Sequence, residues 1–229
     1  YTVGPIAAIV APFFLGMIAD RFFASEKVLG VLHLLGGVFL LIAPSVAQAF
    51  TLDSAPEDAS LFYRLVLHDL PAYVQPFTLL LLLHMLCYMP TIGLTTSLSF
   101  HNLENPEKQF PLVRVAGTIG WIAGNIAVSF LPDKDVSSTQ FYMAGSVAIL
   151  LGLYSFTLPH TPPPSKGQKI TAGKILGTDS LRLFRNPSYA VFMICSFLIC
   201  IPLAGYYAMA RNFVEASNAV VNDSATFTM

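Results

Sequence analysis

The sequence is poor in charged residues, and this shortage excludes most soluble proteins. Asp, Glu, Lys and Arg make up 11% of the 229 residues, whereas hydrophobic residues make up 55%. A soluble domain averages about 25% charged residues. So much apolar surface cannot be buried inside a water-soluble fold of this length, which indicates lipid as the solvent. The net charge of −1 gives no reason to expect nucleic acid as a partner.

Cysteines and intramembrane acids are also scarce. Cys87, Cys195 and Cys200 lie inside apolar runs and form no Cys-x-x-Cys pair, so we expect no disulfide, metal or cofactor. A membrane-embedded enzyme would need paired carboxylates, a histidine cluster or an activated nucleophile inside the bilayer. The uncharged segments described next contain no such set. We therefore expect a protein that is not an enzyme, with a non-transporting membrane receptor as an alternative.

Six segments contain no Asp, Glu, Lys or Arg and are long enough to cross a membrane as helices. They are residues 1–19, 28–52, 70–103, 115–132, 136–165 and 186–210. Their length and their Leu, Ala, Phe and Gly content favour α-helix. The sequence therefore predicts an all-α, polytopic transmembrane helical bundle with six visible spans in a multi-pass membrane protein.

Lys and Arg are distributed unevenly among the loops, which gives the orientation. Nine lie after the first, third and fifth segments, and three lie after the others. The nine are Arg21, Lys27, Lys108, Arg114, Lys166, Lys169, Lys174, Arg182 and Arg185. This asymmetry places the first set of loops in the cytoplasm and residue 1 outside. One further span upstream would place the native N-terminus in the cytoplasm. We therefore expect the six visible segments to be spans two to seven of a longer protein.

The turn after the first segment contains Gly16, Asp20 and Arg21 in the pattern G-x-x-x-D-R. It resembles the signature that major facilitator transporters carry between their second and third helices. Glycine lets helices approach closely, and an acid at a helix end can pair with a cation or cap a neighbouring helix. The resemblance implies that this cluster holds one conformation of a transport cycle. The alternative is an ordinary positively charged helix end.

Three further stretches narrow the resemblance to the nucleoside:H+ symporter family of the same superfamily. They are residues 88–94 (YMPTIGL), 110–121 (FPLVRVAGTIGW) and 158–160 (LPH). The resemblance implies a partial major facilitator bundle in the cell (cytoplasmic) membrane that imports nucleosides. The energy source would be the proton gradient, with the coupling acids in missing C-terminal helices. The alternative is a major facilitator transporter of another small solute, such as a sugar or an exported amphiphile.

The same resemblance divides the chain into three parts. Residues 1–158 are expected to be the N-terminal bundle (helices two to six), and residues 159–186 the cytoplasmic connection between bundles, with an ordinary cytoplasmic loop as the alternative for the latter. Residues 187–229 would hold the first helix of the C-terminal bundle and the start of an external segment. We expect a monomer whose partners are a nucleoside and the lipid bilayer.

Four side chains with polar groups are spaced at i, i+4, i+7 and i+11. The first directly precedes the fourth segment and the others lie within it: Arg114, Thr118, Trp121 and Asn125. This spacing places them on one helix face, called the polar face below. An arginine at the centre of a membrane helix costs at least ~2.5 kcal/mol on insertion scales. The polar face is therefore expected to line a water-filled cavity.

The polar face suits a nucleoside chemically. Trp121 can stack on a base, which is worth about 1–3 kcal/mol in single-strand binding proteins, while Arg114, Thr118 and Asn125 can hydrogen-bond to ribose or base edges. In the resembled family, the arginine, the threonine and an aromatic residue at Trp121 belong to the substrate site. The alternatives are a membrane-surface anchor for Arg114 and helix packing for Trp121.

The sixth segment departs from the resembled family, which places substrate-binding amides there. Here Ala204 offers no side-chain hydrogen bond. Tyr206 or Tyr207 could substitute in part, through stacking or a phenolic hydrogen bond, and Tyr207 is the candidate site residue.

Two other groups of residues have open roles. His33 and His84 lie within the second and third segments, where a histidine either carries a proton or makes an interhelical hydrogen bond. Gly117, Gly120 and Gly124 are expected to permit close helix packing.

Overall fold

The computed structural model describes residues 3–11, 22–50, 75–131, 137–163 and 178–216. All regular structure in these ranges is helical. The helices are α1 (Val3–Ala11), α2 (Ser25–Phe50), α3 (Pro76–Asn102), α4 (Pro106–Ser129), α5 (Thr139–Ser155), a 3-10 helix (Thr178–Arg185) and α6 (Pro187–Ala216). The predicted all-α fold is confirmed for this part of the chain.

Four of these helices, α2, α3, α4 and α6, are long and apolar enough to cross a membrane. The other two, α1 and α5, are described over 9 and 17 residues, fewer than the roughly 20 that a hydrocarbon core requires. In its described part, each predicted segment therefore contains one α-helix, and four of these helices have the length needed to cross a membrane.

The fourth helix starts earlier than the uncharged segment 115–132 indicates. α4 begins at Pro106 and already contains Glu107, Lys108 and Arg114. The uncharged segment marks only the part of the helix that lies in the hydrocarbon core. The helix itself extends further into the polar interface, where charged side chains remain hydrated. Proline suits the first helical position because its missing N–H would have no partner there.

The chain forms two compact units. The first comprises Tyr1–Phe110 with Asp135–Gly167, and the second comprises Pro111–Lys134 with Gln168–Met229. Within the first unit, α2 packs extensively against both α3 and α5, and α3 packs against α1. Within the second unit, the 3-10 helix packs against α6. The proposed division of the chain into two bundles and a connection stays a prediction.

Two pairs of glycines bring α2 and α5 into backbone contact. A Cβ added at Gly37 would lie 2.8 Å from the carbonyl oxygen of Gly145, and one added at Gly152 would lie 3.0 Å from that of Gly30. Because Gly30 meets Gly152 and Gly37 meets Gly145, the two helices run antiparallel. Lipid provides no hydrophobic driving force between membrane helices, so the close van der Waals packing that small residues permit stabilises the pair instead.

The glycines expected to pack closely in α4 do not do so in the described structure. No described atom would lie within 4 Å of a Cβ added at Gly117, Gly120 or Gly124. The spacing of glycines shows where a close approach is possible, but it does not supply the partner helix.

The buried part of the first unit is centred on α2 and α3. Its apolar core contains Leu29, Leu32, Cys87 and Leu94, with Leu158 packed against it. Cys87 is therefore a small core residue, whereas Cys195 and Cys200 are exposed in the described structure.

Candidate functional site on α4 and α6

The polar face forms one stripe along α4. At 3.6 residues per turn, Arg114, Thr118, Trp121 and Asn125 lie within about 60° of arc and extend over about 16 Å of helix axis. All four therefore point to the same side of a membrane-length helix, which the periodicity of the sequence predicts.

Two of these side chains are hydrogen-bonded to their own helix. The Thr118 hydroxyl donates to the carbonyl oxygen of Arg114 (3.1 Å), and the Asn125 side-chain amide donates to that of Trp121 (2.9 Å). These local bonds satisfy one donor of each group in the absence of a ligand. The Asn125 amide oxygen, with its acceptor capacity, and the exposed hydroxyl of Thr118 remain available to a solute.

The remaining members of the polar face present a cation and an aromatic plane. Trp121 is 58% exposed, and Arg114 is exposed as well. Within the described residues, Arg114 forms no ion pair with an acid. The stripe thus offers hydrogen-bond donors, an acceptor and a stacking surface on one side of α4, and its role as a substrate site stays a prediction.

Tyr207 lies on α6 in the same compact unit. Its ring is 65% exposed and packs edge-to-face on Tyr206, with ring centroids 5.6 Å apart. The described parts of α4 and α6 share no extensive contact. The structure therefore assembles the four predicted residues of α4 into one surface and leaves Tyr207 on a separate helix.

The proposed conformational motif lies outside the described residues. Gly16, Asp20 and Arg21 belong to the range 12–21, so their role in holding one conformation stays a prediction.

His84 has a structural partner. Its Nδ1 lies 3.0 Å from the carbonyl oxygen of Gly36, which makes Nδ1–H the donor of a bond between α3 and α2. A Cβ at position 36 would lie 3.3 Å from this nitrogen, so a larger residue there would push the ring away by a few tenths of an ångström. Of the two roles open for His84, the structure shows the interhelical hydrogen bond. No periodic pattern pairs His84 with Gly36, which lies 48 residues away.

His33 and His84 both line a cavity of about 290 Å³ between α2, α3 and α5. The cavity is otherwise largely apolar, with Leu40 and Leu151 among its walls and Tyr88 stacked on His84 at 5.9 Å. In the described part of the chain, no group of three or more potential metal ligands is present.

Comparison with known proteins identifies the family. The sequence model of a family described as nucleoside H+ symporter matches residues 1–55 and 64–229. The chain belongs to the nucleoside H+ symporter family. The resemblance seen in residues 88–94, 110–121 and 158–160 is thereby confirmed.

Three relatives come from Escherichia coli (strain K12). YegT is 41% identical over 221 residues, which cover 93% of this chain and 46% of YegT. The nucleoside permease NupG is 30% identical over 198 residues, covering 85% of this chain and 41% of NupG. The xanthosine permease is 31% identical over 203 residues, covering 87% of this chain and 42% of the permease.

A solved structure supports the fold. The crystal structure of a mutant of the nucleoside transporter NupG matches 99% of this chain and 53% of its own, with a TM-score of 0.71 and 26% identity. The predicted major facilitator-type bundle, present in part, is thereby confirmed. This nucleoside H+ symporter chain spans less than half the length of the three relatives above.

Proposed function

We propose that the full-length protein imports nucleosides across the cytoplasmic membrane by proton symport. The observation that supports this proposal is the polar face of α4, a cation, a hydroxyl, an aromatic plane and an amide on one side of a membrane-length helix. Membership of the nucleoside H+ symporter family and similarity to a nucleoside permease and a xanthosine permease support the substrate class.

The polar face would bind the two parts of a nucleoside differently. Trp121 stacks on the base, since every base presents a π-face. Arg114 and Asn125 hydrogen-bond to hydroxyls or base edges, and Thr118 turns its hydroxyl from its own helix to the solute. Tyr207 reaches the same solute from α6, where Ala204 has no polar side chain.

Transport follows alternating access, in which two helical bundles rock around a site near the membrane midplane. The proton gradient supplies the energy, and the protein works as a monomer without a metal or organic cofactor. The site is then exposed to one side of the membrane at a time, which couples binding to translocation.

Substitution of Arg114 tests the proposal. In the full-length protein, Arg114→Ala removes a donor set that binds hydroxyls and base edges, so uptake of radiolabelled uridine into proteoliposomes should fall at least about tenfold, a loss of about 1.4 kcal/mol or more. The matched control is Lys108→Ala, which removes an exposed cation six residues earlier on the same helix and should leave uptake near the unsubstituted level.

Expression and folding must be measured alongside uptake. Normal uptake by Arg114→Ala would show that this arginine only anchors the helix at the membrane surface. Competition by excess adenosine, but not by hexoses, is the expected specificity. Competition by hexoses instead would contradict a nucleoside substrate.

A further inference from the structure

The buried carboxylate of Glu26 lies at the first turn of α2 and binds the chain that leaves α5. Glu26 is 3% exposed. Its Oε2 accepts a hydrogen bond from the backbone N–H of Thr161 (3.0 Å), and its Oε1 lies 2.9 Å from Nδ1 of His160. An isolated buried carboxylate is unfavourable, so these two donors are what allow an acid at this position.

Thr161 has all its polar groups paired with described residues. Besides the bond from its N–H to Glu26, its carbonyl oxygen accepts from the backbone N–H of Ser25 (3.0 Å). Its hydroxyl accepts from the side-chain amide of Asn102 at the end of α3 (2.9 Å) and donates to the carbonyl oxygen of Pro159 (3.1 Å). Thr161 is 3% exposed. We call Ser25, Glu26, Asn102 and Thr161 the Thr161 anchor.

The residues between α5 and Thr161 follow α2 toward its N-terminus. The ring of Phe156 would lie 2.7 Å from a Cβ at Gly30, so it fills the space that this glycine leaves. Leu158 packs against the apolar core, and Thr161 then reaches Ser25 and Glu26. The segment 156–161 therefore contacts α2 at Phe156 and Thr161 and the apolar core at Leu158.

Opening the Thr161 anchor would be unfavourable for two reasons. It would leave the buried Glu26 carboxylate without its donors, and it would unpair both backbone groups of Thr161. His160 contributes less than the backbone does, because its side chain is 70% exposed and its ion pair is screened by water.

We propose that the Thr161 anchor remains closed throughout the transport cycle, so that the connection between bundles begins at Pro162 and not at the end of α5. Glu26, Asn102 and Thr161 are positioning residues that make segment 156–161 part of the first compact unit. This inference rests on the proposed function only in so far as it refers to a transport cycle.

A distance measurement tests the proposal in full-length protein reconstituted in lipid nanodiscs. Nitroxide labels are placed at Ile42→Cys on α2 and at Pro162→Cys, with other cysteines replaced, and both positions are exposed. Because Pro162 follows Thr161, which is bound at the start of α2, the two labels lie about 24 Å apart along that helix. Double electron–electron resonance should give one narrow distance distribution, unchanged when saturating uridine is added. Glu26→Ala should broaden this distribution, whereas the control His160→Ala should leave it narrow.

Two results would overturn the proposal. One is a second distance, or a shifted one, when uridine is added, because the anchor would then open during transport. The other is a Glu26→Ala distribution as narrow as that of the unsubstituted protein. If Glu26→Ala does not fold, Asn102→Ala, which removes the side-chain bonds to Thr161 and to the carbonyl oxygen of Leu98, must broaden the distribution for the proposal to stand.

The same preparations separate this inference from the proposed function. Uridine uptake by unlabelled protein tests the proposed function. If uptake is absent, the broadening expected for Glu26→Ala and not for His160→Ala still tests the anchor.

Discussion

His84 is a polar side chain inside a membrane-length helix, where hydrocarbon provides no hydrogen-bonding partner. Its Nδ1–H donates to the carbonyl oxygen of Gly36 on the neighbouring helix. A carbonyl that already accepts its own intrahelical bond can take a second donor, because carbonyl oxygen has two lone pairs. The cost of placing this imidazole in the membrane is thus offset by a contact that joins α2 to α3.

Replacement of His84 should therefore affect stability more than coupling. We expect His84→Ala to lower the free energy of unfolding by about 1 kcal/mol, the scale of an interhelical hydrogen bond in membranes. The pH dependence of uptake should stay as it is. Thermal unfolding of the detergent-solubilised full-length protein measures the first quantity and proteoliposome uptake the second.

His101→Ala is the matched control, since His101 is the same residue type on α3 but lies exposed near its C-terminal end. It should leave the unfolding temperature unchanged. A changed pH profile for His84→Ala, with unaltered stability, would instead support a proton-carrying role.

At the scale of elements, the α2–α5 pair depends on four glycines with matching spacing. Gly30 and Gly37 on α2 meet Gly152 and Gly145 on α5. The distance of seven residues in each helix is close to two turns, so each pair of glycines falls on one face. The backbones can then approach until carbonyl oxygens meet Cα atoms, which maximises van der Waals contact in a solvent as apolar as the side chains.

Adding a methyl group to this contact should separate the two helices. Gly37→Ala places a Cβ 2.8 Å from both the Gly145 carbonyl oxygen and Cγ1 of Ile149. A backbone atom cannot move aside as a flexible side chain can, so a loss of about 1–3 kcal/mol in stability is expected from overpacking. Thermal unfolding of the full-length protein measures this loss.

Gly93→Ala on α3 is the control, because no described atom would lie within 4 Å of its new Cβ. It should be neutral or slightly stabilising, since alanine favours helix over glycine. Equal destabilisation by both variants would show that the α2–α5 contact is not the cause.

At the scale of the whole molecule, proton coupling requires a titratable group whose protonation changes with conformation. The six uncharged segments contain no Asp or Glu. We therefore expect the coupling acid outside these segments, with passive transport as the alternative.

The full-length protein should respond to an imposed pH gradient. In proteoliposomes with an acidic exterior, initial uridine uptake should exceed that of vesicles with equal pH on both sides, because inward proton flow drives the solute inward. A protonophore should remove the difference. Uptake that is indifferent to the gradient would contradict symport and leave passive transport.

Much of the fold follows from local rules that the sequence contains. Stretches without charge locate each helix because hydrocarbon excludes charged groups, and the spacing 114, 118, 121 and 125 creates the polar face because an α-helix turns every 3.6 residues. The helix start at Pro106 is less predictable, since the polar interface tolerates both charged and apolar residues.

The sequence alone determined the helical class, the membrane-length segments, the polar face of α4 and the family resemblance, since each depends on residues close together in the chain. Only the tertiary structure decided which glycines pack, that His84 bonds to Gly36, and that Glu26 holds Thr161. These contacts join residues from different helices, 48 positions apart for His84 and 135 for Glu26. No local propensity specifies such a partner, because it is chosen by how the helices pack.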